Sequence, residues 1–291
     1  MSVIDTHLHL WDLGRRTDDP GAYPWLGPQH GDLFRDHLPA EARQVLDQAG
    51  VDRAVLVQAE DSLAETDLML DWAERHDWIA GVVGWLPLRD PDATRAALAR
   101  YHSRPLVGVR HLVHDDPDAG FLDEVDDALR LVAAAGLPLD VPDAWPRHLA
   151  QLTRVAERHP DLTVVVDHLA KPPRAGAPDE LDAWAEALAG AAARPNVVAK
   201  VSGLQCPTTT LQSAPLTTEA LRPVLDLALD LFGADRLLYG GDWPMTTLDA
   251  GGYLPHWRAI RGWIDTLPPT EAEAILAGTA RRVYSLGADL P

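Results

Sequence analysis

The sequence predicts a single-domain α/β protein, a (β/α)8 TIM barrel spanning residues 1–291. Three observations carry that expectation. Short runs rich in Val, Ile and Leu recur, each followed by a segment with helical apolar spacing, which is the alternation that calls for a parallel sheet. Eight such runs can be counted, enough to close a barrel. A chain of 291 residues also suits a barrel built as one domain.

The elements follow in order. Val3–His7 is the first strand, and the helical pattern Pro39–Ala49 begins with Pro in its first turn and stops at Gly50, as capped helices do. Arg53–Val57 and Ile79–Leu86 are β-rich runs on either side of the pattern Ala64–His76. Asp92–His102 leads to the strand Leu106–Leu112, and Leu122–Ala135, halted by Gly136, leads to the short strand Pro138–Val141. Pro146–Arg158, the strand Leu162–His168, Asp179–Ala193, the strand Val197–Ser202, Glu219–Phe232 and the strand Arg236–Gly241 complete the alternation. Two more helical patterns follow residue 255. The longest connections, Leu10–Leu38, Lys171–Pro178, Gly203–Thr218 and Trp243–Leu254, all come after strands. In a barrel such loops form the C-terminal mouth, so their length predicts a covered pocket there. No glycine fingerprint for a dinucleotide or a P-loop follows any strand.

Composition narrows the function classes. Hydrophobic residues make up 46% and charged residues 24%, close to globular averages. A net charge of -19 argues against nucleic acid or an anionic membrane as partner, because both are bound by clustered Lys and Arg. A small-molecule substrate is expected instead, and a homo-oligomer is left open. Cys206 is the lone cysteine, which excludes an intramolecular disulfide and a thiolate zinc site and suits a reducing compartment. The first strand starts by Val3 and no uncharged run reaches membrane-spanning length, so a cytoplasmic protein is expected.

Polar residues at four strand ends are the candidates for chemistry. In an extended strand His7 and His9 project the same way and can grip one ion or one substrate. With His168 and Asp242 they make a sufficient ligand set for one ion, because neutral imidazoles and a carboxylate are ordinary zinc ligands. Asp242 is the expected general base. His111, His168 or Arg110 would polarise a carbonyl or stabilise its oxyanion, with roles that the sequence leaves interchangeable. Trp11, Trp25, Trp85 and Trp243 fall at or after strand ends, where indole faces can stack on a ring or simply pack. Lys171 and Lys200 follow strand ends and are candidates for a substrate carboxylate or hydroxyl.

The ordered set Ile4-Asp5-Thr6-His7-Leu8-His9-Leu10-Trp11, Tyr23-Pro24-Trp25-Leu26, Val107-Gly108-Val109-Arg110-His111, Val166-Asp167-His168-Leu169-Ala170-Lys171-Pro172, Lys200-Val201-Ser202-Gly203-Leu204 and Gly240-Gly241-Asp242-Trp243-Pro244 resembles the amidohydrolase superfamily. Within it the chain is similar to the amidohydrolase-2 group of sugar lactonases, in the L-fuconolactonase branch, with dicarboxylate pyrone lactonases as relatives. The resemblance spans nearly the whole chain. It implies a (β/α)8 barrel and hydrolysis, with His7 and His9 as the first-strand pair, His168 from the sixth strand and Asp242 from the eighth. The chain departs from binuclear members: Arg110 and His111 end the fourth strand, and Asp140-Val141 ends the fifth without histidine. At most one divalent metal, zinc or similar, is therefore expected, and a metal-free site is allowed. Gly241 stands where relatives often have Ser, and Gly278-Thr279-Ala280 where many have Asn-Ala.

The expected activity is opening of a sugar lactone ring, with Asp242 activating water. A metal-dependent decarboxylase of an aromatic or unsaturated acid and a non-catalytic sugar-acid-binding barrel are the alternatives.

Overall fold

The protein is described by a computed structural model at residues 1–174, 176–204, 216–247 and 252–287. Its β-branched runs form eight parallel strands whose order in the sheet is their order in the chain. They are β1 Ile4–Leu8, β2 Arg53–Val57, β3 Ile79–Gly84, β4 Leu106–Arg110, β5 Leu139–Val141, β6 Val164–Val166, β7 Val197–Val201 and β8 Leu237–Tyr239. The segment after β8 closes the ring onto β1: the Asp242 amide donates to the His7 carbonyl at 2.7 Å and the His9 amide to the Trp243 carbonyl at 2.8 Å. This is the expected barrel.

Helices follow the strands as the spacing requires. Pro39–Ala49 matches its expected limits and ends at Gly50 in the left-handed region, φ 70°, which glycine enters without penalty. Leu63–Ala73 starts on Ser62, whose hydroxyl accepts from the Glu65 amide, and Pro91–Tyr101 starts on Asp90, whose carboxylate accepts from Asp92 and Ala93. Leu149–Arg158 turns Leu149, Leu152, Val155 and Ala156 to the sheet, a single apolar face with polar residues opposite.

Strand parity sorts the core into an outer shell and an inner stack. Leu56, Val82, Val109, Val164, Val166, Ala199 and Leu237 face the helices. Val55, Val57, Val83, Val165, Val198 and Leu238 fill the barrel with Ile4, and Tyr284, Ala277 and Ala280 from the C-terminal segment pack against them. Higher in the same inward rows the residues become charged. Asp140, Asp167, Lys200 and Arg110 share that parity and are all buried. The strands end earlier than expected at β3, β4, β6 and β8, and after β6 and β8 the chain leaves the ladder and carries His168 and Asp242 into the mouth.

The long loop after β1 is ordered. The Trp11 and His37 backbones bond each other in both directions, at 3.1 and 2.9 Å. Trp11, Ala22, Tyr23, Leu26, Leu33 and Ala59 form a satellite apolar cluster beneath this loop. The expected loops at Lys171–Pro178, Gly203–Thr218 and Trp243–Leu254 fall partly outside the described residues, as does Cys206.

Candidate active site

The register of β1 against β2 shifts between Asp5 and Leu8. Beyond this irregularity His7 and His9 sit side by side, with their Nε2 atoms 3.1 Å apart. Bulges of this kind commonly re-aim side chains beside active sites. Asp5 holds the strand end from outside: its carboxylate accepts from the His7 amide at 2.9 Å, the Gly241 amide at 2.8 Å and the Tyr253 hydroxyl at 2.8 Å. Burial pushes its carboxyl up to about 6 despite those donors. A side chain on Gly241 would overlap the Asp5 carboxylate and the Tyr253 ring, which accounts for glycine at this position.

His168 reaches the site by unusual backbone. His168, Leu169, Ala170 and Lys171 take φ of 56°, 51°, 58° and 54°, a left-handed turn of four non-glycine residues. Such a conformation costs roughly 1–2 kcal/mol per residue. Burial of Leu169 and Ala170 offsets it, together with a bond from Trp184 Nε1 to the Leu169 carbonyl at 2.8 Å. The turn reverses the chain at once, so that His168 and Lys171 both enter the mouth. His168 Nδ1 lies 2.8 Å from Ser202 Oγ. Gly203, at φ 57°, packs against the same ring, and a Cβ there would overlap it. Gly203→Ala is expected to displace His168 and lower kcat/KM about 10²-fold, the scale of a misplaced reacting group, measured beside a thermal melt.

Asp242 Oδ1 is 3.5 Å from His9 Nε2 and 3.9 Å from both His7 Nε2 and His168 Nε2. Burial alone would raise its carboxyl, but His168 and His9, with Lys171, outweigh burial and hold it below the usual 3.8. It is a carboxylate at neutral pH. Burial, reinforced by Lys200, His9 and Arg110, keeps His7 neutral, and burial does the same to His168 against the pull of Asp242.

His9 Nδ1 donates to the Val57 carbonyl at 2.8 Å, which fixes the ring orientation. Both ring nitrogens of His7 face cationic donors, Nε2 the Arg110 Nη1 at 3.0 Å and Nδ1 the Lys200 Nζ at 3.1 Å. Ligand atoms of His7, His168 and Asp242 lie within 4.8 Å of one another, and this His/His/Asp group fits a single divalent metal. His9 adjoins it through His7 and Asp242.

Below this floor lies a second polar layer. Lys200 Nζ donates to Asp140 Oδ2 at 2.6 Å and lies 3.1 Å from Asp167 Oδ1, while the Tyr284 hydroxyl donates to Asp140 at 2.8 Å. Asp167 Oδ1 is 3.3 Å from His7 Nδ1 and Oδ2 is 3.5 Å from Arg110 Nη1. Two carboxylates and two cations therefore balance inside the barrel, with Asp167 lying against the His7 ring. Asp140 faces Lys200 and not the His/His/Asp group.

A cavity of about 260 Å³ opens above the floor. Its walls include Trp11, Trp25, Arg110, Lys171, His9, His168 and Asp242, which the sequence had singled out, and Met245, His114, Asp115 and Asp143, which it had not. The remaining candidates lie elsewhere. His111 accepts from Trp85 Nε1 at 3.1 Å, meets Asp116 at 2.8 Å and stacks on Phe121 with ring centroids 3.8 Å apart. Lys200 is beneath the floor, and Trp243 is buried against His37.

The family model described as Amidohydrolase matches residues 4–286. The chain belongs to the amidohydrolase family. This amidohydrolase is 33% identical to an L-fucono-1,5-lactonase of Burkholderia ambifaria, over 97% of its own chain and 95% of that protein. It is 34% identical to an L-fucono-1,5-lactonase of Burkholderia multivorans, over 97% and 96%. A crystal structure of an amidohydrolase from Burkholderia multivorans with bound zinc superposes with a TM-score of 0.85 at 32% identity, over 99% of this chain and 100% of that one. Among the described residues no helix is long and apolar enough to cross a membrane.

Proposed function

We propose that this amidohydrolase hydrolyses the ester bond of a neutral, polyhydroxylated lactone of monosaccharide size, a sugar lactone. The observation that carries this reading is the Asp242 carboxylate set among three imidazoles at the floor of a small cavity whose cations already face carboxylates. Arg110 faces Asp167 and Lys171 faces Asp143, so the walls suit an uncharged ligand better than a dicarboxylate or an aromatic acid awaiting decarboxylation. The curated lactonases at 33% and 34% identity support the same substrate class.

In this reading Asp242 accepts a proton from water as the water oxygen bonds to the lactone carbonyl carbon. Negative charge moves to the carbonyl oxygen, where Arg110 and Lys171 are the nearby donors on the cavity wall. Collapse of the tetrahedral intermediate breaks the ring C–O bond, and the proton on Asp242 passes to the departing oxygen. The product is a hydroxy acid. Trp25 offers an apolar face to the ring, with the buried Trp11 packed edge-to-face against it. A divalent ion held by His7, His168 and Asp242 would supply Lewis-acid polarisation of the carbonyl. With a small neutral substrate, an acidic surface and one cysteine, the enzyme is proposed to act in the cytoplasm without nucleic acid or membrane.

The test is proton release from a panel of aldonolactones by enzyme that has been stripped with chelator and then resupplied with zinc. Turnover that falls on stripping and returns with about one equivalent of zinc is expected. Silence across the panel from folded, zinc-loaded protein would sink the reading.

A further inference from the structure

Asp143 was not marked by any motif, yet it occupies the cavity wall supplied by the loops after β4, β5 and β6. Its two carboxylate oxygens receive the Lys171 ammonium at 2.8 and 3.1 Å. His114 Nδ1 stands 4.0 Å from the same carboxylate, and His114 Nε2 stands 3.7 Å from Asp115. Burial would raise the Asp143 carboxyl, but Lys171, His114 and Arg110 outweigh it and keep it ionised. The wall thus presents Lys171 against two carboxylates, Asp143 and Asp115, within the cavity that also holds Asp242 and Arg110, the latter facing Asp167.

That balance has a consequence for substrate charge. An ammonium lining a cavity is an attractive partner for a carboxylate on an incoming ligand, and it fulfils that role unless a nearby acid already occupies it. We propose that Asp143 is the residue that sets substrate charge in this enzyme: by holding Lys171 and adding its own negative charge, it admits neutral lactones, accepts a hydrogen bond from their hydroxyls, and rejects lactones that carry a carboxylate. The inference rests on the lactonase reading and deepens it. A carboxylate must accept either the ammonium or a hydroxyl, and Asp143 has enough lone pairs for both. A carboxylated lactone placed against the same wall meets like charge at Asp143 and Asp115 instead.

The experiment uses matched probes, an aldonolactone and the aldarate monolactone that differs from it only by a terminal carboxylate. Wild-type enzyme should prefer the neutral probe. In Asp143→Asn the kcat/KM for the neutral probe should fall about 10- to 100-fold, the range for a hydrogen bond to a charged group, while that for the carboxylated probe rises. Because Lys171 also faces the reacting carbonyl, the double variant Asp143→Asn/Lys171→Met is read as the ratio of the two kcat/KM values, which should lose its shift toward the carboxylated probe, and Asp143→Glu should keep the wild-type preference. Thermal melts check folding, and Asp143→Ser replaces the Asn variant if that variant does not fold. An unchanged ratio of the two kcat/KM values in the folded variant would overturn the proposal. So would a shift in that ratio that survives loss of Lys171. Wild-type enzyme that turns over neither probe would instead overturn the lactonase reading, and this inference with it.

Discussion

Replacing Asp242 by Asn is expected to lower kcat on a sugar lactone by about 10²–10⁴-fold, the usual contribution of a positioned general base. The carboxamide keeps the shape of the carboxylate but cannot take the proton from water. The side chain is buried, with three imidazoles within 3.9 Å, so the loss of negative charge also removes an anion that faces His9 and His168. Stability should change little beside that catalytic loss, because the Asp242 backbone amide still closes the barrel on the His7 carbonyl. Steady-state kinetics together with a thermal melt make the check. A variant that retains near-wild-type kcat would show that the proton leaves water by another route, and His168 would become the next candidate.

Lys200→Met should have the largest effect on stability. The ammonium is fully buried between Asp140 and Asp167, and breaking a buried pair by removing one partner costs about 3–5 kcal/mol because the remaining charge is stranded. For a chain of this size that corresponds to a fall in Tm of roughly 10 °C. Protonation moderates the loss. Burial holds the Asp140 carboxyl at about 6, against an ordinary 3.8, even with Lys200 beside it, and without the ammonium it would rise further. A raised carboxyl pKa means that the native state binds the proton more tightly, so this group contributes stability at low pH and loses it as pH rises through about 6. The gap in Tm between variant and wild type should therefore widen from acid to neutral pH. Adding Asp140→Asn to Lys200→Met should recover part of the loss, and failure to recover any would argue that Lys200 acts through shape alone.

The contrast between these residues explains what could be read in advance. His7 and His9 were visible because strand alternation forces two residues at that spacing onto one side, whatever the rest of the chain does. Asp242 was visible because an acid after an apolar strand and two glycines has few structural reasons to be there. Lys200 stood out as a candidate for a substrate carboxylate or hydroxyl, but its buried place was not legible, since a lysine near a strand end reads the same in sequence whether its head lies in solvent, in the mouth or in the core. Its parity with Val198 puts it inside the barrel, but only the position of β5 and β6 beside β7 shows that two aspartates await it. His111 illustrates the opposite case. It follows a strand whose last residue, Arg110, points into the site, and one further residue along the chain faces the other way, toward Trp85 and Asp116.

Asp143 and His114 lay beyond any pattern. They sit on irregular loops, where side-chain direction follows from local dihedrals such as the positive φ of 45° at Asp143 and not from a period. The left-handed turn at His168–Lys171 is equally silent in sequence, because Leu169, Ala170 and Lys171 are not residues that favour that conformation.

The chain by itself determined the barrel, its strand order and the polar residues on its strand ends, because apolar period, turn residues and short-range alternation act over a few positions and are written locally. Tertiary structure alone decided which of those polar residues meet. Burial pairs Lys200 with Asp140 and Asp167, turns His111 away, and sets Asp143 against Lys171, since the electrostatic cost of an unpaired charge is felt only once closure has removed the water around it.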